Sequence, residues 1–199
     1  MGRRRCGEDA QVKPCYMAVD DTGAVTDDTP DGDTERLKAA FGSFATGITV
    51  VTARLDGRLH GMTANAFCAV SLDPPLVLVC VDKSARMHDF ILQRGAFAVN
   101  ILSSDQEHLA RHFAREGRPL EGEFALVPYT LGRTGCPILS GVAAYVECTL
   151  HHACDGGDHT IYVGAVQATD AFPERRPLLH CRRQYLVWTP DGMVSGNIA

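Results

Sequence analysis

The chain has 199 residues, 45% of them hydrophobic and 22% charged, which suits one domain with a buried core that folds without a disulfide or metal staple. Its 19 basic and 24 acidic residues give a net charge of −5, and the deficit is local, because Asp20 to Asp33 holds six aspartates and no basic residue. A near-neutral body without a basic stripe argues against nucleic acid or an anionic membrane as the main partner, since both need clustered Lys and Arg.

Residues 1–33 lack apolar periodicity and read as a loosely attached acidic arm, leaving 34–199 as the folded domain. Asp33 and Thr34 signal a helix start, with Leu37, Phe41 and Phe44 on one face. From Ile48 the texture turns β-branched, and the Asp56–Gly57 pair predicts a two-residue hairpin with a return strand over Leu59 to Phe67. After the Asp73–Pro74–Pro75 turn, the unbroken hydrophobicity of Leu76 to Val81 predicts a central strand buried on both faces. Ser84 is expected to cap a helix carrying Met87, Phe90 and Ile91 and closed by Gly95. Phe97 to Leu102 then reads as a strand, and Ser104 with Glu107 as a capping box ahead of Leu109 and Phe113. Residues 115–137 read as loop. Val142 to His152 and Thr160 to Ala168 read as long strands joined across 154–159, with a last strand over Tyr185 to Thr189.

Six or seven strands and three short helices, joined mostly by hairpins, predict a mainly β fold and a small closed barrel rather than a doubly wound sheet. The longest apolar run, Leu76 to Val81, is far below the roughly 20 residues that span a bilayer. Arg3, Arg4 and Arg5 lead into Glu8 and Asp9 rather than into an apolar signal segment, so the expected location is the cytoplasm. The eight cysteines show no two-residue pair spacing, are expected as free thiols, and predict no metal site; Cys80 reads as a small buried hydrophobe.

Neither GxGxxG, a P-loop, GxSxG nor HExxH is present, so hydrolysis and the commonest nucleotide folds are not signalled. What stands out is a cluster of small polar residues and glycines on strands: Thr46, Gly47 and Thr49, then Thr63, Ala64, Asn65 and Ala66, then Ser71. A flat heteroaromatic ligand would satisfy them, and so would hydroxyls pairing with nearby backbone.

The segment Phe41 to Lys83, FGSFATGITVVTARLDGRLHGMTANAFCAVSLDPPLVLVCVDK, resembles the signature region of the short-chain flavin reductases, the reductase partners of two-component flavin-dependent monooxygenases. FAVNIL at 97–102, the Gln106 to Phe113 segment, Gly135–Cys136–Pro137, Glu147–Cys148 and GDHTIYVG at 157–164 extend the similarity over roughly Leu37 to Leu186. The resemblance implies a split β-barrel of Greek-key type, the FMN-binding split barrel, and a homodimer with FMN or FAD near the subunit interface. It places Thr46, Gly47 and Thr49 at the flavin ring or ribityl chain, and Thr63, Ala64, Asn65 and Ala66 at the polar edge of the isoalloxazine. Ser71, Asp82, Lys83 and Ser84 fall near the ribityl and phosphate, and His88 and Phe113 where family members approach the flavin. Gly157, Asp158 and His159 match the element associated with the nicotinamide cofactor, with His159 as the catalytic candidate; the remaining histidines carry no assignment.

The activity so implied is an NAD(P)H:flavin oxidoreductase, with NADH favoured and NADPH left open, that supplies reduced flavin to a separate monooxygenase. Hydride transfer of this kind needs positioning rather than an acid–base triad, because the cofactors carry the chemistry. The alternatives are a flavoprotein of the same fold that retains its flavin and itself oxidises or oxygenates an organic substrate, and a flavin-binding module without turnover.

Overall fold

The structure, a computed structural model, describes residues 31–189 and 192–195; the arm over 1–30 lies outside them, with Cys6 and Cys15. In chain order the elements are α1 (Asp31–Gly42), β1 (Thr46–Gly47), β2 (Thr49–Leu55), β3 (Arg58–Ala64), β4 (Phe67–Leu72), β5 (Pro75–Asp82), α2 (Arg86–Arg94), β6 (Ala96–Ile101), α3 (Glu107–Ala114), β7 (Tyr129–Leu131), β8 (Pro137–Leu139), β9 (Ala144–Gly156), β10 (His159–Ala171), β11 (Leu178–Cys181), β12 (Gln184–Thr189) and β13 (Gly192–Ser195).

Seven strands form one antiparallel sheet in the order β3-β2-β6-β9-β10-β5-β4. Its two edge strands, β3 and β4, are joined by only Asn65 and Ala66. Strands at opposite ends of a seven-stranded order can be linked by two residues only if the sheet rolls up until its edges meet, so the sheet closes into a barrel split between β3 and β4. At the linker the β4–β5 ladder runs on by one bond, Cys80 N–H of β5 donating to Ala66 O at 3.1 Å. The predicted split β-barrel is therefore the observed fold.

Strands β2 and β6 are buried on both faces. Val51, Phe97 and Val99 face a core completed by Val79, Val81, Met87, Phe90, Ile91 and Tyr162. Val50 faces a second core with Ile48, Leu102, Leu109, Phe113, Leu139 and Leu178. Strand β5, predicted as central, instead lies next to the edge strand β4 and alternates, with Val77, Val79 and Val81 buried and Leu76, Leu78 and Cys80 half-buried. An apolar run does not distinguish a strand covered on both faces from one whose outer face is only partly shielded.

The Asp56–Gly57 hairpin is as predicted, with φ of 50° and 80° at its two turn residues, the mirror-image turn whose twist suits the flanking strands. Gly95 closes α2 in the left-handed region, its N–H on Ile91 O. The helix starts differ from expectation. Ala85 is the N-cap of α2, and Ser84 turns to Asp82 instead. Gln106 precedes α3, and its Oε1 accepts from Ser103 N–H, so no Ser104–Glu107 capping box forms. Helix α1 starts at Asp31, two residues early, and Leu37, Phe41 and Phe44 are exposed rather than packed. The segment read as loop over 115–137 contains β7, paired with β8, while β4, β11 and β13 were not anticipated as strands. Strands β9 and β10 run longer than predicted and are joined by the two residues Gly157 and Asp158. Among the described cysteines, Cys68, Cys80, Cys136, Cys148 and Cys181 are in no disulfide, and burial pushes the Cys148 thiol up to about 12. No helix among the described residues is long and apolar enough to cross a membrane.

Candidate functional site

The predicted residues other than Ser71 fall into two groups, one at the ends of β1, β2 and β3 and one where β5 meets β10. In the first, Thr49 pairs with Ala64 across β2 and β3, and its hydroxyl donates to Ala64 O at 2.7 Å. Thr63 Oγ1 donates to Ala110 O at 2.7 Å, tying α3 to β3. Those two hydroxyls are thus engaged with backbone, the competing reading of polar strand residues. Thr46 differs: its Oγ1 is the one buried side-chain oxygen or nitrogen among the described residues that has no hydrogen-bond partner. Gly47 has open space where a Cβ would stand, and Asn65 and Ala66 are exposed in the strand break. An orphaned hydroxyl beside open backbone suits a planar ligand rich in hydrogen-bonding groups, so the residues present fit a flavin.

The second group sits where β5 ends. His159 pairs with Asp82 across β10 and β5, and Lys83 N–H donates to Asp158 O at 3.0 Å. The Lys83 ammonium donates to the Asp155 carboxylate and to Gly157 O, which ties down the Gly157–Asp158 turn rather than leaving the charge open to a phosphate. Asp82 Oδ1 accepts from both the hydroxyl and the N–H of Ser84, each at 2.7 Å, and these bonds hold the Asp82 carboxyl below the usual carboxylate range. His159 Nδ1 lies 2.7 Å from Asp158 Oδ1. A carboxylate only accepts, so Nδ1 carries the proton in that contact and Nε2 is left for a ligand. His88 Nε2 is 3.0 Å from Thr160 Oγ1, and the His88 carbonyl accepts from the Tyr162 hydroxyl.

Of the predicted residues, Thr63, Asp82, Ser84 and Phe113 line a cleft of about 440 Å³, together with Arg86 and Arg118, and the others, His159 and Thr46 among them, do not line it. Phe113, only 1% exposed, forms its floor by lying against Gly61, where an added Cβ would stand 2.5 Å from the ring. Ser71 lies well apart from the residues around Asp82. It pairs with Leu76 at the start of β5, roughly 20 Å along the strand from Asp82 by the usual rise per residue, and its hydroxyl accepts from Asp73 N–H.

Residues 41–189 match the family described as a flavin reductase like domain. The chain belongs to the flavin reductase-like family. It is 50% identical over 137 residues to a probable flavin reductase of Rhizobium meliloti, across 68% of this chain and 43% of that longer protein, so the chain spans less than half the length of that relative. It is 41% identical over 156 residues to the reductase component of a 4-hydroxyphenylacetate 3-monooxygenase of Thermus thermophilus, covering 77% of this chain and 97% of the other. The solved Streptomyces globisporus NADH:FAD oxidoreductase in complex with NAD and FAD fragments superimposes with a TM-score of 0.76 at 40% identity, over 81% of this chain and 96% of that one.

In this flavin reductase-like chain the structure adds residues that no motif marked. Glu123 is fully buried and meets His60 Nδ1 through Oε2 at 2.9 Å and Arg118 Nη2 through Oε1 at 2.8 Å; Arg118 and His60 also line the cleft. Burial alone would raise the Glu123 carboxyl, but the bonds from His60 and Arg118 outweigh it and hold the group below the ordinary range. A second, larger cleft of about 510 Å³ lies between the β7–β8 hairpin and β9–β10 over the buried Glu147, and none of the predicted residues lines it.

Proposed function

We propose that this flavin reductase-like chain transfers hydride from NADH to FMN or FAD held at the seam of the split barrel, and releases the reduced flavin to a separate monooxygenase. The observation that carries the reading is the meeting, at one end of the seam, of the open 65–66 break with the Gly157–Asp158–His159 turn, through Ala66 O on Cys80 N–H and His159 beside Asp82. The chemistry supplied by the bound nucleotides is hydride donation by the nicotinamide and hydride acceptance by the flavin.

The chain's own part is binding and orientation. Asn65, Ala66 and the Thr46 hydroxyl meet the flavin; His159, steadied by Asp158, meets the nicotinamide nucleotide through Nε2. Lys83 holds the turn that carries them. Phe113 and Gly61 keep water from beneath the cleft. No general acid or base is required, which agrees with a site whose carboxylates are occupied by Ser84, Lys83 and Arg118.

A homodimer suits the exposed edge strand β4, where Val70 and Leu72 face outward, because an uncovered apolar edge invites pairing with a second chain. Ser71 on the same strand would then serve the flavin only from a neighbouring copy. The reaction belongs in the cytoplasm, where reduced nicotinamide is supplied. The relatives reported above are named as reductases or a reductase component, and none of those names favours a flavoprotein that oxidises an organic substrate itself.

The test is flavin dependence. Protein stripped of small molecules by gel filtration should consume NADH only when FMN or FAD is added, saturating with flavin concentration. Turnover independent of added flavin would instead support the retained-flavin enzyme.

A further inference from the structure

We infer that Glu123 is a positioning residue for the nucleotide cleft, its carboxylate holding Arg118 and His60 so that residues 115–118 stand as a fixed wall. The inference rests on the reading of that cleft as the nucleotide site.

Strand β3 is an edge of the sheet, so the outward backbone groups of Gly61 have no neighbouring strand. Side chains take that place. Arg118 Nη2 donates to Gly61 O at 2.8 Å, and Gly61 N–H points at Glu123 Oε1 at 3.4 Å. The same Oε1 accepts from Arg118 Nη2 and Nε, and Oε2 meets His60 Nδ1. His112 Nε2 of α3 reaches the Glu123 carbonyl at 3.0 Å, so the loop is fastened to β3 and α3 together.

Residues 115–128 contain no helix or strand; turn hydrogen bonds and the buried Phe124 and Val127 hold the later part of the segment, while the contacts of Arg118 and Glu123 tie residues 115–118 to β3. Burying an ionised carboxylate is costly unless partners satisfy it. A purely structural role would not require those partners to lie in the walls of the cleft, yet Arg118 and His60 both do. Removing the charge weakens the bond from Arg118 to residue 123, leaving Gly61 O as the guanidinium's hydrogen-bond acceptor on β3, beside Arg115 O within the loop and the Phe113 ring beneath it, and so loosens the wall.

The test is Glu123→Gln, which keeps the size and removes the charge, alongside Arg118→Met and the double variant. Two quantities are read: the dissociation constants of FMN and FAD by quenching of flavin fluorescence, and hydrogen exchange of the amides at 115–121. Both single variants should bind flavin about tenfold more weakly, the loss expected for one broken charge-assisted bond, with faster exchange in the loop. The double variant should be no worse than Arg118→Met, because Glu123 acts through Arg118. Unchanged flavin affinity in Glu123→Gln, or additive losses, overturns the proposal, and if Glu123→Gln does not fold, unchanged affinity in Arg118→Met overturns it. If the unsubstituted protein binds neither flavin, the flavin reading fails and the positioning role falls with it, faster loop exchange in Glu123→Gln then leaving Glu123 a structural role alone.

Discussion

His159 and Glu123 differ in how the chain holds them. His159 is 41% exposed at its side chain and rests against Asp158, so its replacement costs the fold little and the ligand contact much. For His159→Ala, NADH turnover should fall by at least about tenfold while the flavin dissociation constant and melting temperature stay nearly unchanged; steady-state kinetics with flavin titration on the same preparation checks both. Unaltered turnover would remove His159 from the mechanism. Glu123 is the opposite case, buried and held below the ordinary carboxylate range by His60 and Arg118. A carboxyl lowered in the folded state stabilises it above the unfolded value, about 4.3, and loses that contribution as pH falls through the folded value. The melting-temperature gap between the unsubstituted protein and Glu123→Gln should therefore be full near neutrality and shrink below about pH 4. A gap independent of pH would mean that the charge of Glu123 does not matter.

Among elements, the contact of α3 with β3 defines the floor of the cleft. Gly61 is the position where it is tightest, because a Cβ there would fall 2.5 Å from Cε1 of the buried Phe113. Gly61→Ala should destabilise the protein by about 1–3 kcal/mol through overpacking, seen as a lower melting temperature, and a neutral result would show that α3 shifts freely. How much of this was legible depended on whether the signal was local. The Asp56–Gly57 hairpin and the Gly95 helix end follow from short-range backbone preferences and appear as read. Ser84 and Ser104 looked equally local, yet Ser84 bonds Asp82 and Gln106 takes the place before α3, because a hydroxyl chooses among all nearby backbone and carboxylate partners. The doubly buried strands are β2 and β6, not β5, since burial on the second face comes from distant elements such as α3 and β8.

For the whole molecule, the decisive feature is the two-residue link between opposite edges of the sheet, which forces closure; Thr49 then meets Ala64, His159 meets Asp82, and Thr63 shares a cleft with Asp82 and Ser84. Family resemblance had grouped those residues by motif, and the residues themselves suggested only that polar strand positions wanted partners. The structure divides them: Thr49 and Thr63 are satisfied within the chain, Lys83 holds a turn, the buried Thr46 hydroxyl has no hydrogen-bond partner, and Asn65 is exposed. The Arg118–Glu123–His60 cluster had no sequence signature, because His60 lies 63 positions from Glu123 and meets the Arg118–Glu123 pair only in the folded chain.

The proposed hydride transfer to a flavin that then leaves is tested by an anaerobic mixture of a small amount of protein with excess FMN or FAD and NADH. Loss of the oxidised flavin's visible absorbance should continue through many equivalents per protein chain. Bleaching that stops at one equivalent, or does not occur, would contradict it.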